Sequence, residues 1–405
     1  MTGSAPLVVV GNPENRRVTL FRAAATEAGI PVSVLPWRQL AAGPVRLPAG
    51  ATVRIDSPGE DAEVDRLLRG ADRPAEHGEI VGLGRWYAGL RAALRRLAVA
   101  ADNAGATLLN APDEILAMFD KRACHARLVS AGVPVPPALP RSPVDYLGLR
   151  AAMRAVGWSR VFVKPAHGSS ASGVLAVQTA PGGRIRATTP VELAPDGRLF
   201  NSLRVRDYTD ERDVAAIVDR LAPDGLHVER WFPKVGLADR TIDLRVLVIA
   251  GTPGHIVVRA SRGPLTNLHL GNARGDLDAV RAAMGAPAYE AALHSCVSAA
   301  ACFPGSQHAG VDLLIGTDWR RHAVAEVNAF GDLLPGVLDR FGRDSYAAAL
   351  HALRTGRRPT TGRRPASAGS GPTGQRRQTS GPARETARHE RDSNRGDAMT
   401  VGRTA

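Results

Sequence analysis

Lysine is nearly missing from this chain. Of 52 basic residues among 405, three are lysines, Lys121, Lys164 and Lys234, and the rest are arginine. Where surface cations have drifted to arginine, a retained lysine points to a site that needs a compact ammonium rather than a planar fork. For any one of the three, chance survival is the competing reading. Cysteine is scarce as well. Cys124, Cys296 and Cys302 show neither metal-site spacing nor a paired framework, which excludes a disulfide scaffold and fits a reducing compartment. Aromatic residues make up 4% of the chain, and no apolar run approaches the ~20 residues of a membrane-spanning helix. The opening MTGSAPLVVVGNPENRR has no basic leader, so a cytoplasmic location is the expectation.

What is present is a length sufficient for two or three domains, with 44% hydrophobic and 22% charged residues, ordinary for a globular chain. The net charge of +13 is unevenly placed. Residues 354–405 hold twelve arginines against four acids, so +8 of the excess belongs to a C-terminal segment. That segment is Arg, Gly, Pro, Ser and Thr with almost no large apolar residue, and it reads as a disordered tail.

The stretch FVKPAHGSSASGVLAV, residues 162–177, sets a lysine at the end of an apolar run and follows it with a small polar loop. It is not a P-loop, whose lysine comes after the glycines, nor a dinucleotide fingerprint, because a second strand follows rather than a helix. A phosphate-holding loop and a plain hairpin turn both remain open on these residues alone.

Along the chain, residues 7–10, 32–35, 51–55 and 107–109 read as short strands alternating with helical segments, a small α/β layer over residues 1–110. A helix with acids in its first turn is expected from Pro112 through Asp120-Lys121 to about Ala131, stopped by Gly132 and three following prolines. A hairpin surrounds the 162–177 loop, and a second spans residues 184–208, turning at Pro195-Asp196-Gly197. Strands are expected at 226–229, 244–250 and 255–259, a helix over 288–302, and a strand pair over 311–328.

The last pair, GVDLLIGTDWRRHAVAEVNAFG, carries the strongest constellation. Paired antiparallel about Trp319, residue 314 would face 324, 316 would face 322, and Asp312 would face Glu326. Asn328 shares the face of Glu326 because strand side chains repeat every two residues. Facing carboxylates repel unless a cation or proton lies between them. Two carboxylates and an amide oxygen are hard ligands that suit Mg²⁺, which keeps its remaining positions for water and phosphates. A slipped register with both acids in solvent is the alternative.

At this point the chain resembles the ATP-grasp superfamily, nearest the branch of glutathione synthetase and the ribosomal-protein glutamate ligase. The match runs in order over residues 110–340. NAPDEILAMFDKRACHARLVSAGVPVPP resembles the entry helix, whose lysine, here Lys121, binds nucleotide. FVKPAHGSSASGV resembles the strand and flexible loop over the phosphates, which implies Lys164 on the α- and β-phosphates and Gly168, Ser169, Ser170 and Gly173 in a lid. HVERWFPK resembles the interdomain strand, which implies Glu229, Arg230 and the backbone beyond them around adenine, with Lys234 close after. DLRVLVIAG and RASRGPLTNLHLGN resemble the elements that set Arg245, Arg259 and Asn267 on the reacting phosphate, and Asp312, Glu326 and Asn328 match the magnesium ligands.

The resemblance implies an α/β fold of two subdomains clasping ATP, residues 111–227 with the lid and 228–353 with the metal, after a small Rossmann-like domain. It implies a ligase using ATP and Mg²⁺, with Mn²⁺ as a substitute, that joins a small-molecule or peptide carboxylate to an amine through an acyl-phosphate. Two features depart from that branch. The hairpin over 184–208 is long, and RIDSPGED, residues 54–61, matches a substrate-side Arg-x-Asp-x-Pro element only loosely and equally suits a loop tip. His167, His227, His255 and His269 lie near these motifs, with His269 read as nearest the chemistry. A kinase-like phosphotransferase keeps the fold and changes the outcome. Nucleic-acid binding by the arginine tail is the reading from another class, weakened by its lack of aromatics to stack bases. No membrane partner is expected, and a homodimer is compatible with the sequence.

Overall fold

The strand Leu7–Gly11 (β1) is buried along its whole length, as a central parallel strand covered on both faces must be. Its partners are Val32–Pro36 (β2) and Thr52–Ile55 (β3), and Thr107–Leu108 (β4) extends the sheet beyond β3. All pairings are parallel and the order is β2-β1-β3-β4, with helices as crossovers. This computed structural model describes residues 5–168 and 171–357. The tail expected beyond Leu353 therefore lies, from residue 358 on, outside the described residues, as do Ser169 and Ser170 of the loop. Among the described residues no helix is long and apolar enough to cross a membrane.

A second, antiparallel sheet follows. Arg160–Pro165 (β5) and Leu175–Thr179 (β6) flank the lysine loop, and Ile185–Leu193 (β7) and Leu199–Tyr208 (β8) form the long hairpin. Leu226–Arg230 (β9) closes the sheet beside β5, in the order β8-β7-β6-β5-β9. The expected boundary between residues 227 and 228 thus falls inside β9, and the sheet runs on to Arg230. The hairpin also reaches back to the first layer, where Ile80 N donates to Leu199 O and Asn201 N to Gly78 O at 2.8 and 2.7 Å.

The third sheet holds Gly236–Leu237 (β10), Arg240–Ile249 (β11), Thr252–Ser261 (β12), Ala273–Arg274 (β13), His308–Ile315 (β14) and His322–Asn328 (β15). Its order is β13-β12-β11-β14-β15, with β10 pairing to β11. Ile242, Leu244, Val246 and Val248 of β11 enter the main core, which sends Asp243 and Arg245 to the opposite face. Asp312 does pair with Glu326 as the alternation implied. Nearer the turn the register differs from that expectation. Leu313 pairs with Val324, Leu314 with Ala323 and Ile315 with His322, so 314 does not face 324, nor 316 face 322. A β-bulge sets Ala325 as an extra residue on β15, a shift that turn counting cannot see.

The helix expected to run unbroken past Asp120 is two helices, Pro112–Phe119 and Lys121–Ser130. Asp120 has extended backbone (φ −89°, ψ 103°) and caps the second helix by accepting from Arg122 N and Ala123 N. Its side chain competes with the helical ladder, a preference that hydrophobic periodicity does not register. The helix Ser345–Arg354, which the sequence reading did not single out, packs Tyr346 and Leu350 onto Val18 and Phe21 of the first layer and Ala348, Ala349 and Ala352 onto the third sheet.

Candidate functional site

Pairing across the third sheet builds a polar row from strands that are otherwise apolar. Arg245 on β11 stands beside Asp312 on β14, which stands beside Glu326 on β15. In the adjoining row Arg259 on β12 pairs with Asp243 on β11. Arg245 Nε meets Asp312 Oδ1 at 2.5 Å, while Arg259 reaches Asp243 Oδ1 at 2.6 Å and Asp312 Oδ2 at 3.2 Å. Burial alone would raise both aspartates, but Arg245 and Arg259 hold Asp312 below the usual carboxylate range, and Arg259 and Lys234 hold Asp243 there.

The second sheet faces this row across a cavity of about 460 Å³, within the range of small-ligand sites. All three lysines of the chain line it. Lys121 enters from the first turn of its helix and donates to Gly168 O at 2.7 Å and Glu326 Oε1 at 3.3 Å. The break at Asp120 orients that turn, because Lys121 N donates to Ala166 O at 3.0 Å and the His167 ring meets Asp120 Oδ2 at 3.3 Å. Lys164, on β5, pairs with Glu229 of β9 at 2.6 Å. Burial works against the Lys164 ammonium, yet Glu229 and Glu326 outweigh it and keep its pKa above the ordinary lysine value. Glu229 is likewise buried, but Lys164 and His227 bring it down to about 2. Lys234 donates to Thr266 Oγ1 at 2.9 Å and to Asp243 at 3.3 Å, and burial lowers its pKa in spite of Asp243.

Among the described residues six basic and five acidic side chains line the cavity, a slight positive excess. Asn267 and His269 stand on its wall, and burial together with the Arg245 guanidinium keeps His269 below its ordinary pKa. Gly168 lines it too. Gly173 does not, although its φ of +71° and Pro165, 2.6 Å from where a Cβ would sit, make glycine the residue for the end of the loop. Arg230 is exposed and lines a different cavity. His227 lies behind Glu229 at 3.4 Å, and His255 is tied to Arg343 O away from the site.

Asp312 and Glu326 face one another and Asn328 follows on the same strand. Asn328 Nδ2 donates to Gly310 O at 3.2 Å, which assigns its nitrogen to the backbone and leaves its carbonyl oxygen for a ligand. Among the described residues no group of three or more His, Cys, Asp or Glu is placed to hold a metal. Two carboxylates and an amide are an incomplete but hard oxygen set, one that fits an ion completed by water and phosphate oxygens.

Several lining residues had no assigned role in the sequence. Asp243 and Thr266 anchor Lys234 and Arg259, and only the Asp-x-Arg spacing hinted at the first. Asn15 and Arg17 come from the start of the helix Arg16–Glu27, where nothing in the pattern marked them. From RIDSPGED, Ser57, Gly59 and Glu60 reach the cavity. Arg54 does not: it is buried between the Phe21 and Tyr346 rings and paired with Asp332.

No family model matches the sequence, and no curated protein matches it. The solved structures do. D-cycloserine synthetase DcsG superposes with a TM-score of 0.53 at 17% identity, over 86% of this chain and 99% of that one. The macrocyclase MdnC bound with precursor peptide MdnA, from Microcystis aeruginosa MRC, superposes with a TM-score of 0.52 at 11% identity, over 87% and 100%. A RimK domain protein ATP-grasp from Sphaerobacter thermophilus DSM 20745 reaches 0.47 at 16% identity, over 86% and 98%. With its two antiparallel sheets facing each other across a lysine-lined cavity, and on the first two of these likenesses, this chain has the ATP-grasp fold.

Proposed function

We propose that the protein is an ATP- and Mg²⁺-dependent ligase that joins a carboxylate to an amine through an acyl-phosphate. One observation carries the proposal. A chain with three lysines brings all of them to one cavity, together with two arginines and a facing pair of carboxylates. Chance retention of lysine does not explain their convergence.

On this reading Lys121 and Lys164 hold the phosphates, with Gly168 against the Lys121 ammonium. Glu229, the Arg230 backbone and Lys234 border the adenine. Asp312, Glu326 and Asn328 hold Mg²⁺, which neutralises phosphate charge when bound. A substrate carboxylate oxygen attacks the γ-phosphorus, the bond to the bridging oxygen breaks, and ADP leaves. The amine lone pair then attacks the acyl carbon, the C–O bond to phosphate breaks, and the nitrogen gives up a proton. Arg245, Arg259 and Asn267 stabilise the charge on the transferring oxygens, the part of such a reaction that positioning and electrostatics supply. The side chains of Arg245 and Arg259 are 19% and 8% exposed, so their charges are weakly screened. MdnC is bound with a precursor peptide and DcsG is a synthetase of a small molecule, so both acceptor sizes are to be screened.

The test is Mg·ATP binding by calorimetry for wild type, Lys164→Ala and Glu326→Ala, followed by incubation with candidate carboxylates and hydroxylamine. Binding lost in both variants and a hydroxamate formed by wild type is the expected result. Binding that neither substitution weakens removes the site assignment. ADP release with a stable phosphorylated product and no hydroxamate replaces the ligase with a kinase-like transferase.

A further inference from the structure

A second cavity, of about 630 Å³, lies outside the crossing from the second sheet to the third, where residues 231–235 link β9 to β10. Four segments form it: residues 134–137 after the helix Lys121–Ser130, residues 157–160 before β5, the crossing itself, and the β14–β15 turn with residues 320–323. Trp158, Trp231 and Phe232 supply flat apolar surface. Arg160, Arg230, Arg320 and Arg321 supply charge, and no acidic residue lines the cavity. Arg321 is paired with Asp318 at 2.7 Å, but among the described residues Arg160, Arg230 and Arg320 make no ion pair. The Arg160 guanidinium stands 5.8 Å over the Trp231 ring.

This chemistry selects its ligand. Unpaired guanidinium groups at the mouth of a concave site attract carboxylates, which they bind in a bidentate fork. Two indoles and a phenyl ring offer stacking surface for an apolar or aromatic side chain. Three prolines, Pro134, Pro137 and Pro233, remove N–H groups from the lining, which disfavours the backbone cradle that phosphate sites are built on. The C-terminal segment does not complement the groove, because it carries the same sign.

We propose that this groove is a docking site for an acidic peptide segment with an aromatic anchor, separate from the nucleotide cavity. The ring of Trp231 packs at 5.0 Å on Phe162, which lines the first cavity, so the two sites share a wall without sharing their charged residues. The proposal does not rest on the ligase reading, since a peptide can dock here whatever reaction the first cavity performs.

The experiment uses the full chain and a fluorescent peptide of alternating glutamate and phenylalanine, with a glutamine counterpart as the neutral control. Anisotropy is read for wild type and for a double variant, Arg160→Glu with Arg320→Glu. Both residues are exposed, and an unchanged melting midpoint confirms that the variant folds. The acidic peptide is expected to bind wild type with an affinity that falls as salt rises. The double reversal and the glutamine peptide are each expected to bind at least about tenfold more weakly, and saturating Mg·ATP is expected not to displace the peptide. Absence of binding at low salt overturns the proposal, as does equal binding by the double variant, which would move the peptide to the arginine tail. Displacement by ATP moves it to the first cavity. Tighter binding of a labelled oligonucleotide through the same two arginines replaces the peptide with nucleic acid.

Discussion

Replacing Lys164 by methionine keeps the side chain's length and removes its charge. The ammonium sits 2.6 Å from Glu229, and both side chains are 10% exposed or less. Against burial, Lys164 and His227 bring the Glu229 pKa from an ordinary 4.5 down to about 2. A depression of that size corresponds to ~3 kcal/mol of stability, at about 1.4 kcal/mol per pH unit. The opposite shift on Lys164 describes the same contact and is not added. Removing one partner of a buried pair costs roughly 3–5 kcal/mol, consistent with that figure. Because the Glu229 pKa is depressed, its contribution is complete above 4.5 and is lost as pH falls toward about 2. In Lys164→Met the carboxylate has lost its main partner and its pKa rises, so the variant suffers most where Glu229 must stay ionised. Urea unfolding should show a deficit of about 3 kcal/mol at neutral pH that narrows as pH falls from 4.5 toward about 2. A deficit below about 1 kcal/mol, or one independent of pH over that window, would refute the assignment of the pair as a buried, charge-stabilised contact. Glu229→Gln on top of Lys164→Met should recover part of the loss, since it removes the stranded charge.

Lys121→Ala should weaken Mg·ATP binding by at least about tenfold in calorimetry, because the ammonium that now holds Gly168 O and Glu326 is lost from the loop's base. Glu326→Gln should raise the Mg²⁺ concentration needed for half-maximal turnover, and chelation should abolish wild-type turnover until Mg²⁺ or Mn²⁺ is restored. Gly310→Ala should cost about 1–3 kcal/mol in urea unfolding, since a Cβ there would lie 2.6 Å from Gly331 Cα and force apart the backbone beside Asn328. Asp120→Ala should cost about 1 kcal/mol through loss of the helix cap, with nucleotide affinity falling as the Lys121 turn loosens.

Part of the site was legible because the relevant pattern is local. Asp312, Glu326 and Asn328 share a face through an alternation of two, and the turn near Trp319 is close enough in sequence to bring 312 opposite 326. The bulge at Ala325 was not legible. It shifts pairs nearer the turn without disturbing the Asp312–Glu326 pair, and no hydrophobic count distinguishes the two registers. The break at Asp120 escaped for a related reason: the apolar spacing continues through it, while the cause is a single carboxylate that caps the next turn.

By itself, the sequence determined which residues this chain keeps against its own composition, three lysines and a Glu-x-Asn in an apolar strand, and the order of motifs around them. Only the tertiary structure decided that Lys121, Lys164 and Lys234, from a helix, one sheet and the crossing to another, enter the same cavity. It alone decided that Arg17 and Glu60 join them while Arg54 is buried against Asp332. The physical reason is separation. Periodicity fixes a side chain's face within one element, whereas meeting across elements depends on long-range pairing and packing that no single window of sequence contains.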